Sequence, residues 1–212
     1  MAQTKSTLVV DPLADFKASP GNLGRALPMV VVYPGLGRKD DYWYKGKLVK
    51  YDWDTAGFMV EQIKIGMPKV LMDQVIFVVP LTWDMHCATC LFEAEQLINN
   101  RGGLISRYSL CGFSRGGIQI YWHPKLRPWH ILGLIDPVSP TMEGYPDNKV
   151  VDNFATRIRC VYNGNNWDCA EKIVTFYDYL TALNVETVER TDVQHRDMPA
   201  LFFKTYGWDL IL

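Results

Sequence analysis

The chain has 212 residues, 48 % hydrophobic and 21 % charged, with a formal net charge of −1. That length and balance fit one globular domain spanning residues 1–212 and exclude general disorder; a domain of this size buries roughly 70 % of its unfolded surface and needs no staples. The near-neutral charge leaves no footprint for nucleic acid and no polybasic membrane patch.

Residues 1–27 carry turn formers and one short apolar run, Leu8–Val10, and read as a peripheral arm with one edge strand. Their acids come soon after that short run, unlike a secretory signal. Met29–Tyr33 is a buried strand. Residues 38–53 follow as an insertion holding Tyr42, Trp43, Tyr44 and Trp53 among charges; they read as a small lid, with a solvated hairpin the plainer alternative. Asp54–Ile65 has helical spacing, with Asp54 as a cap. Gln74–Pro80 is a second strand, Asp84–Asn100 a helix ended by Gly102 and Gly103, Ile105–Cys111 a third strand, and Gly116–His123 the start of a helix. His130–Ile135 and Thr156–Tyr162 are the fourth and fifth strands. The link between them is short, so an open or shallow site is expected. Ala170–Leu183 is an amphipathic helix, Val185–Glu189 a sixth strand and Asp197–Tyr206 a last helix. No apolar run approaches the ~18 residues of a membrane span.

Continuous apolar strands are buried on both faces, and strands separated by helices pair in parallel. The fold class is therefore α/β: a three-layer α/β/α sandwich around a mostly parallel sheet. Ligands of such sheets sit beyond the carboxyl ends of the strands, so chemistry is expected just after each strand.

After the third strand comes Gly112-Phe113-Ser114-Arg115-Gly116, a G-x-S-x-G with a strand before it and a helix after it. A strand turning sharply into a helix puts its central side chain at a strained apex, and the flanking glycines allow the close approach. The pattern alone arises by chance; its place between strand and helix favours a nucleophile over an incidental serine. After the first strand, Pro34-Gly35-Leu36-Gly37 can aim the Leu36 N–H at an oxyanion, beside the N–H of Arg115. A serine needs a base. Among four histidines, His195 follows the last strand and can hang over the strand tips. His123 and His130 flank an exposed-looking loop and read as surface residues, and His86 reads as a pocket-lining residue. Two acids compete to orient the base. Asp168, after the fifth strand, is favoured, with a helix N-cap as its bland alternative. Asp136, at the end of the fourth strand and nearer the serine, is the rival, with a turn before Pro137 as its bland alternative.

With these residues in hand, the chain resembles the α/β-hydrolase superfamily over about residues 28–206. The resemblance rests on the Gly112–Gly116 turn, the Pro34–Gly37 loop and the order Ser114, Asp168, His195. The stretch from Tyr162 to His195 looks like the C-terminal unit of small esterases and dienelactone-hydrolase-like enzymes. The chain departs from the family in its shortened N-terminal strands and in an acid one residue later after Gly164 than usual. Gly133-Leu134-Ile135-Asp136-Pro137 is similar to the acid-bearing strand end of pancreatic-type lipases, which keeps Asp136 in play. The resemblance implies a serine esterase, lipase-like or thioesterase-like hydrolase: Ser114 attacks, His195 moves the proton, Asp168 or Asp136 orients it, and the N–H groups of Leu36 and Arg115 hold the oxyanion. Tyr42, Trp43 and His86 are expected to touch a small-molecule or lipid ester.

The remaining signals are weaker. Cys87-Ala88-Thr89-Cys90 is a C-x-x-C, which near a helix start admits redox chemistry. No second pair completes a zinc set, and two small helix residues are the plainer reading. Five cysteines, an odd count, fit reduced thiols and a cytoplasmic setting. Asp40 and Asp41 are expected to be solvated. No metal or other cofactor is expected. A non-catalytic binding or structural protein on the same scaffold is the alternative, since fold does not dictate function; retention of both Ser114 and His195 weighs against it.

Overall fold

The apolar runs form the centre of an eight-stranded sheet in the computed structural model, which describes residues 1–10, 26–35, 42–44, 47–49, 55–123, 126–137, 155–164 and 185–212. The strands are β1 (Ala2–Gln3), β2 (Thr7–Val10), β3 (Ala26–Tyr33), β4 (Tyr42–Tyr44), β5 (Lys47–Val49), β6 (Ile76–Pro80), β7 (Leu104–Phe113), β8 (Trp129–Ile135), β9 (Ala155–Tyr162) and β10 (Val185–Glu189). The helices are α1 (Thr55–Gly66), α2 (Lys69–Met72), α3 (Cys87–Asn100), α4 (Ile118–Trp122) and α5 (Met198–Tyr206).

The sheet runs β1-β2-β6-β3-β7-β8-β9-β10. From β6 to β10 every pairing is parallel. Each central strand feeds both faces by alternation, as the period of two requires. Met29, Val31, Tyr33, Ile76 and Val78 pack with Cys87, Leu91, Ala94 and Ile98 of α3. Val30, Val32, Phe77 and Val79 pack on the other face with Met59 and Ile63 of α1 and with Met198, Phe202 and Phe203 of α5. The α/β/α sandwich expected from the sequence is the architecture found.

Two regions differ from expectation. The edge run is longer than Leu8–Val10: β2 pairs antiparallel with β6, and β1 adds a further antiparallel strand outside it. Glu93 on α3 explains why this edge stays down. Its carboxylate accepts bonds from Thr4 Oγ1 and the Ser6 N–H, each 2.8 Å, and from Ser6 Oγ at 3.1 Å. After Phe113, the chain makes a 3-10 turn, Ser114–Gly117, before the short α4. Within residues 38–53, β4 and β5 pair antiparallel as a hairpin, apart from the main sheet. Residues 11–25, Leu36, Asp40, Asp41, Trp53, the link 138–154, Asp168 and the helix expected at 170–183 lie outside the described residues, as do the side chains of Tyr42 and Trp43.

Candidate active site

The carboxyl edge of the sheet gathers the chemistry. Ser114 stands at the end of β7 with φ 50, in left-handed backbone that non-glycine residues rarely adopt. Two glycines make this turn possible. A Cβ on Gly112 would lie 2.3 Å from the Gly116 carbonyl oxygen, and one on Gly116 would lie 2.3 Å from the Pro34 carbonyl oxygen. Strand, turn and the loop after β3 are therefore pressed together with no room for a side chain. Gly35 faces the serine directly: a Cβ there would sit 3.2 Å from Ser114 Cβ.

One strand over, Asp136 ends β8, also in left-handed backbone with φ 39. Its side chain is fully buried, and His195 Nδ1 lies 2.5 Å from its Oδ2. The Asn163 N–H donates to the other oxygen, Oδ1, at 3.0 Å. The Asp136 N–H donates to the Val161 carbonyl at 2.7 Å, fixing the end of β8 against β9. A buried carboxylate without such partners would cost several kcal/mol. With its proton on Nδ1, His195 donates to Asp136 and has Nε2 as the ring's acceptor. Its side chain is 42 % exposed, and its ring lies against Phe113, the residue before Ser114, at 4.6 Å between centroids. The imidazole thus lies beside the serine turn, held by a buried carboxylate.

The favoured Asp168 lies outside the described residues; among those described, the carboxylate that meets His195 Nδ1 is that of its rival, Asp136. The physical reason is register: β8 lies between β7 and β9 in the sheet, so a carboxylate at its tip sits next to the strand that carries the serine.

Compared with solved structures, the chain superposes on an esterase domain of a Rhodothermus marinus protein with a TM-score of 0.55 at 10 % identity, covering 87 % of this chain and 90 % of that one. It superposes on the S-formylglutathione hydrolase of Agrobacterium tumefaciens with a TM-score of 0.53 at 12 % identity, covering 90 % and 86 %. On an acylaminoacyl peptidase the TM-score is 0.52 at 12 % identity, over 87 % of this chain but 36 % of the peptidase. The chain has the α/β-hydrolase fold. By sequence it matches no family profile and no curated protein.

The other expected positions map onto this α/β-hydrolase frame as follows. Arg115 follows Ser114 in the 3-10 turn, and its guanidinium stacks over the Trp83 ring at 4.7 Å. Gln119 Nε2 donates to the Trp83 carbonyl at 2.9 Å, tying the loop after β6 to α4. Sequence reasoning missed Trp83 as the partner of Arg115; its only signal was an aromatic residue just past a strand. Leu36 follows Gly35 outside the described residues, and Tyr42 and Trp43 are described only as backbone of β4. His86 is exposed at the start of α3, its ring 5.2 Å from that of His123.

His123 and His130 are not the surface residues expected. Both are partly buried. His130 Nε2 lies 3.2 Å from the Asp209 carbonyl, under the C-terminal segment. Burial, and then His86, pushes the His123 imidazole pKa down.

The C-x-x-C is at the start of α3, yet both thiols are fully buried. Burial pushes Cys87 up to about 12 and Cys90 up to about 11. Thiolates are scarce there, the reverse of what redox chemistry needs. Among the described residues no cluster of three or more His, Cys, Asp or Glu side chains is arranged to hold a metal ion, and no helix is long and apolar enough to cross a membrane.

Proposed function

We propose that this protein is a serine hydrolase that cleaves carboxylic esters or thioesters through Ser114, His195 and Asp136. The observation that carries this reading is the 2.5 Å contact of His195 Nδ1 with a fully buried Asp136, beside a serine in left-handed backbone. Structural likeness to proteins named esterase, S-formylglutathione hydrolase and acylaminoacyl peptidase supports acyl chemistry on this fold.

In this mechanism His195 Nε2 takes the Ser114 proton as Oγ bonds to the substrate carbonyl carbon. The carbonyl electron pair moves to oxygen, and the N–H groups of Arg115 and Leu36 receive the charge. The closeness of Gly35 to Ser114 supports the Leu36 assignment. Asp136 keeps the imidazole in the Nδ1–H form and stabilises the imidazolium. The tetrahedral adduct collapses, and the leaving alcohol or thiol takes its proton from His195. Water then adds to the acyl-enzyme by the same steps and restores Ser114. Each oxyanion donor contributes about 3 kcal/mol of barrier lowering.

Intact mass after treatment with a small organophosphonate tests this. One adduct on wild type and none on Ser114→Ala is the expected result. An unlabelled, folded wild type would sink the mechanism and favour a binding protein on a hydrolase scaffold.

A further inference from the structure

We infer that Asn163 is a positioning residue that locks the base onto the acid, an inference that rests on the serine-hydrolase reading above. Asn163 directly follows β9, the strand between β8, which carries Asp136, and β10, which leads to His195. It grips both. Its main-chain N–H donates to Asp136 Oδ1 at 3.0 Å. Its side-chain Nδ2 donates to the Val193 carbonyl at 2.8 Å, two residues before His195. With the His195–Asp136 contact of 2.5 Å, these bonds close a loop through Asp136, Asn163, Val193 and His195.

The loop after β10 needs such a grip. Thr191, Asp192, Gln194 and Arg196 are exposed, and Arg190 pairs locally with Asp192 at 2.7 Å. Val193 is only partly buried. The Arg190 N–H bonds the Tyr162 carbonyl at 2.9 Å and fixes the start of the loop; Asn163 fixes it at Val193, just before the base. The bond requires a donor. A carboxylate of the same shape would set an oxygen against the Val193 carbonyl, and a methyl would leave it unheld. Displacing a catalytic group by about 1 Å costs about 100-fold in rate.

The test compares Asn163→Ala, the isosteric Asn163→Asp and the donor-retaining Asn163→Gln with wild type. Ala and Asp are expected to lower kcat by about 10- to 100-fold, with KM within about threefold and an unchanged melting temperature. Organophosphonate labelling of Ser114 should slow by the same factor, and Gln should fall between. Proton NMR gives an independent readout. Wild type should show a low-field signal from His195 Nδ1–H, assigned by its loss in Asp136→Asn and broadened in Asn163→Ala. Unchanged kcat and an intact signal in Ala and Asp would overturn the proposal, as would an equal loss in all three variants. If wild type neither hydrolyses esters nor labels, the hydrolase reading fails, and the NMR signal alone decides whether Asn163 holds His195 on Asp136.

Discussion

Ser114 and Asp136 sit in left-handed backbone on neighbouring strands, at φ 50 and φ 39. Such conformations cost of order 1–3 kcal/mol each and persist only where the surroundings enforce them. For Asp136 the enforcement is its own N–H on Val161 and its two bonded oxygens. This permits a clean test. Asparagine tolerates left-handed backbone as well as aspartate does, so Asp136→Asn alters the chemistry and spares the turn. On the proposed mechanism it lowers kcat about 10⁴-fold, while Asp168→Asn leaves kcat near wild type; steady-state ester hydrolysis by both variants measures the difference. Ser114 was legible because its turn needs glycines at fixed offsets. The acid was not. Asp136 and Asp168 both follow strands, and the backbone at Asp136 that turns its carboxylate toward His195 leaves no mark in residue types. Asn163 was invisible for a similar reason: one of its two bonds comes from the main chain, which any residue but proline supplies.

Among the elements, the central strands were readable as unbroken apolar runs. β1, with two residues, has no pattern, and only its pairing and the Glu93 anchor define it. The helix expected from Gly116 begins instead as a 3-10 turn, because the left-handed serine and two glycines tighten the first turn. The Glu93 anchor has a pH signature. Burial opposes its charge, but the bonds from Thr4 and Ser6 prevail, and Lys5 adds to them; its carboxyl is held below the ordinary range. A carboxylate held low stabilises the fold above its unfolded pKa and loses that contribution as pH falls through the lowered value. Glu93→Gln should therefore cost about 1 kcal/mol at pH 7. That gap from wild type should close as the solution is acidified through the carboxylate range, as paired urea melts would show. A gap independent of pH would refute the anchor as an ionic one.

At the scale of the molecule, burial separates two kinds of side chain. The serine and histidine stand at the carboxyl edge, whereas Cys87, Cys90, Cys111 and Cys160 are buried thiols. With Cys87 and Cys90 pushed up to about 12 and about 11, iodoacetamide at pH 8 should leave both unmodified in the folded protein. The double variant Cys87→Ser with Cys90→Ser should keep the wild-type rate of ester hydrolysis; loss of activity on alkylation of either thiol would restore a redox reading of the C-x-x-C.

From β7 the sheet extends outward in chain order through β8 and β9 to β10. Chains leave the ribosome amino end first. A nascent chain thus carries its serine turn out first, the carboxylate of Asp136 next and the imidazole of His195 last. On the proposed mechanism the serine stays an ordinary alcohol until the imidazole arrives, and the half-made protein is chemically silent toward esters.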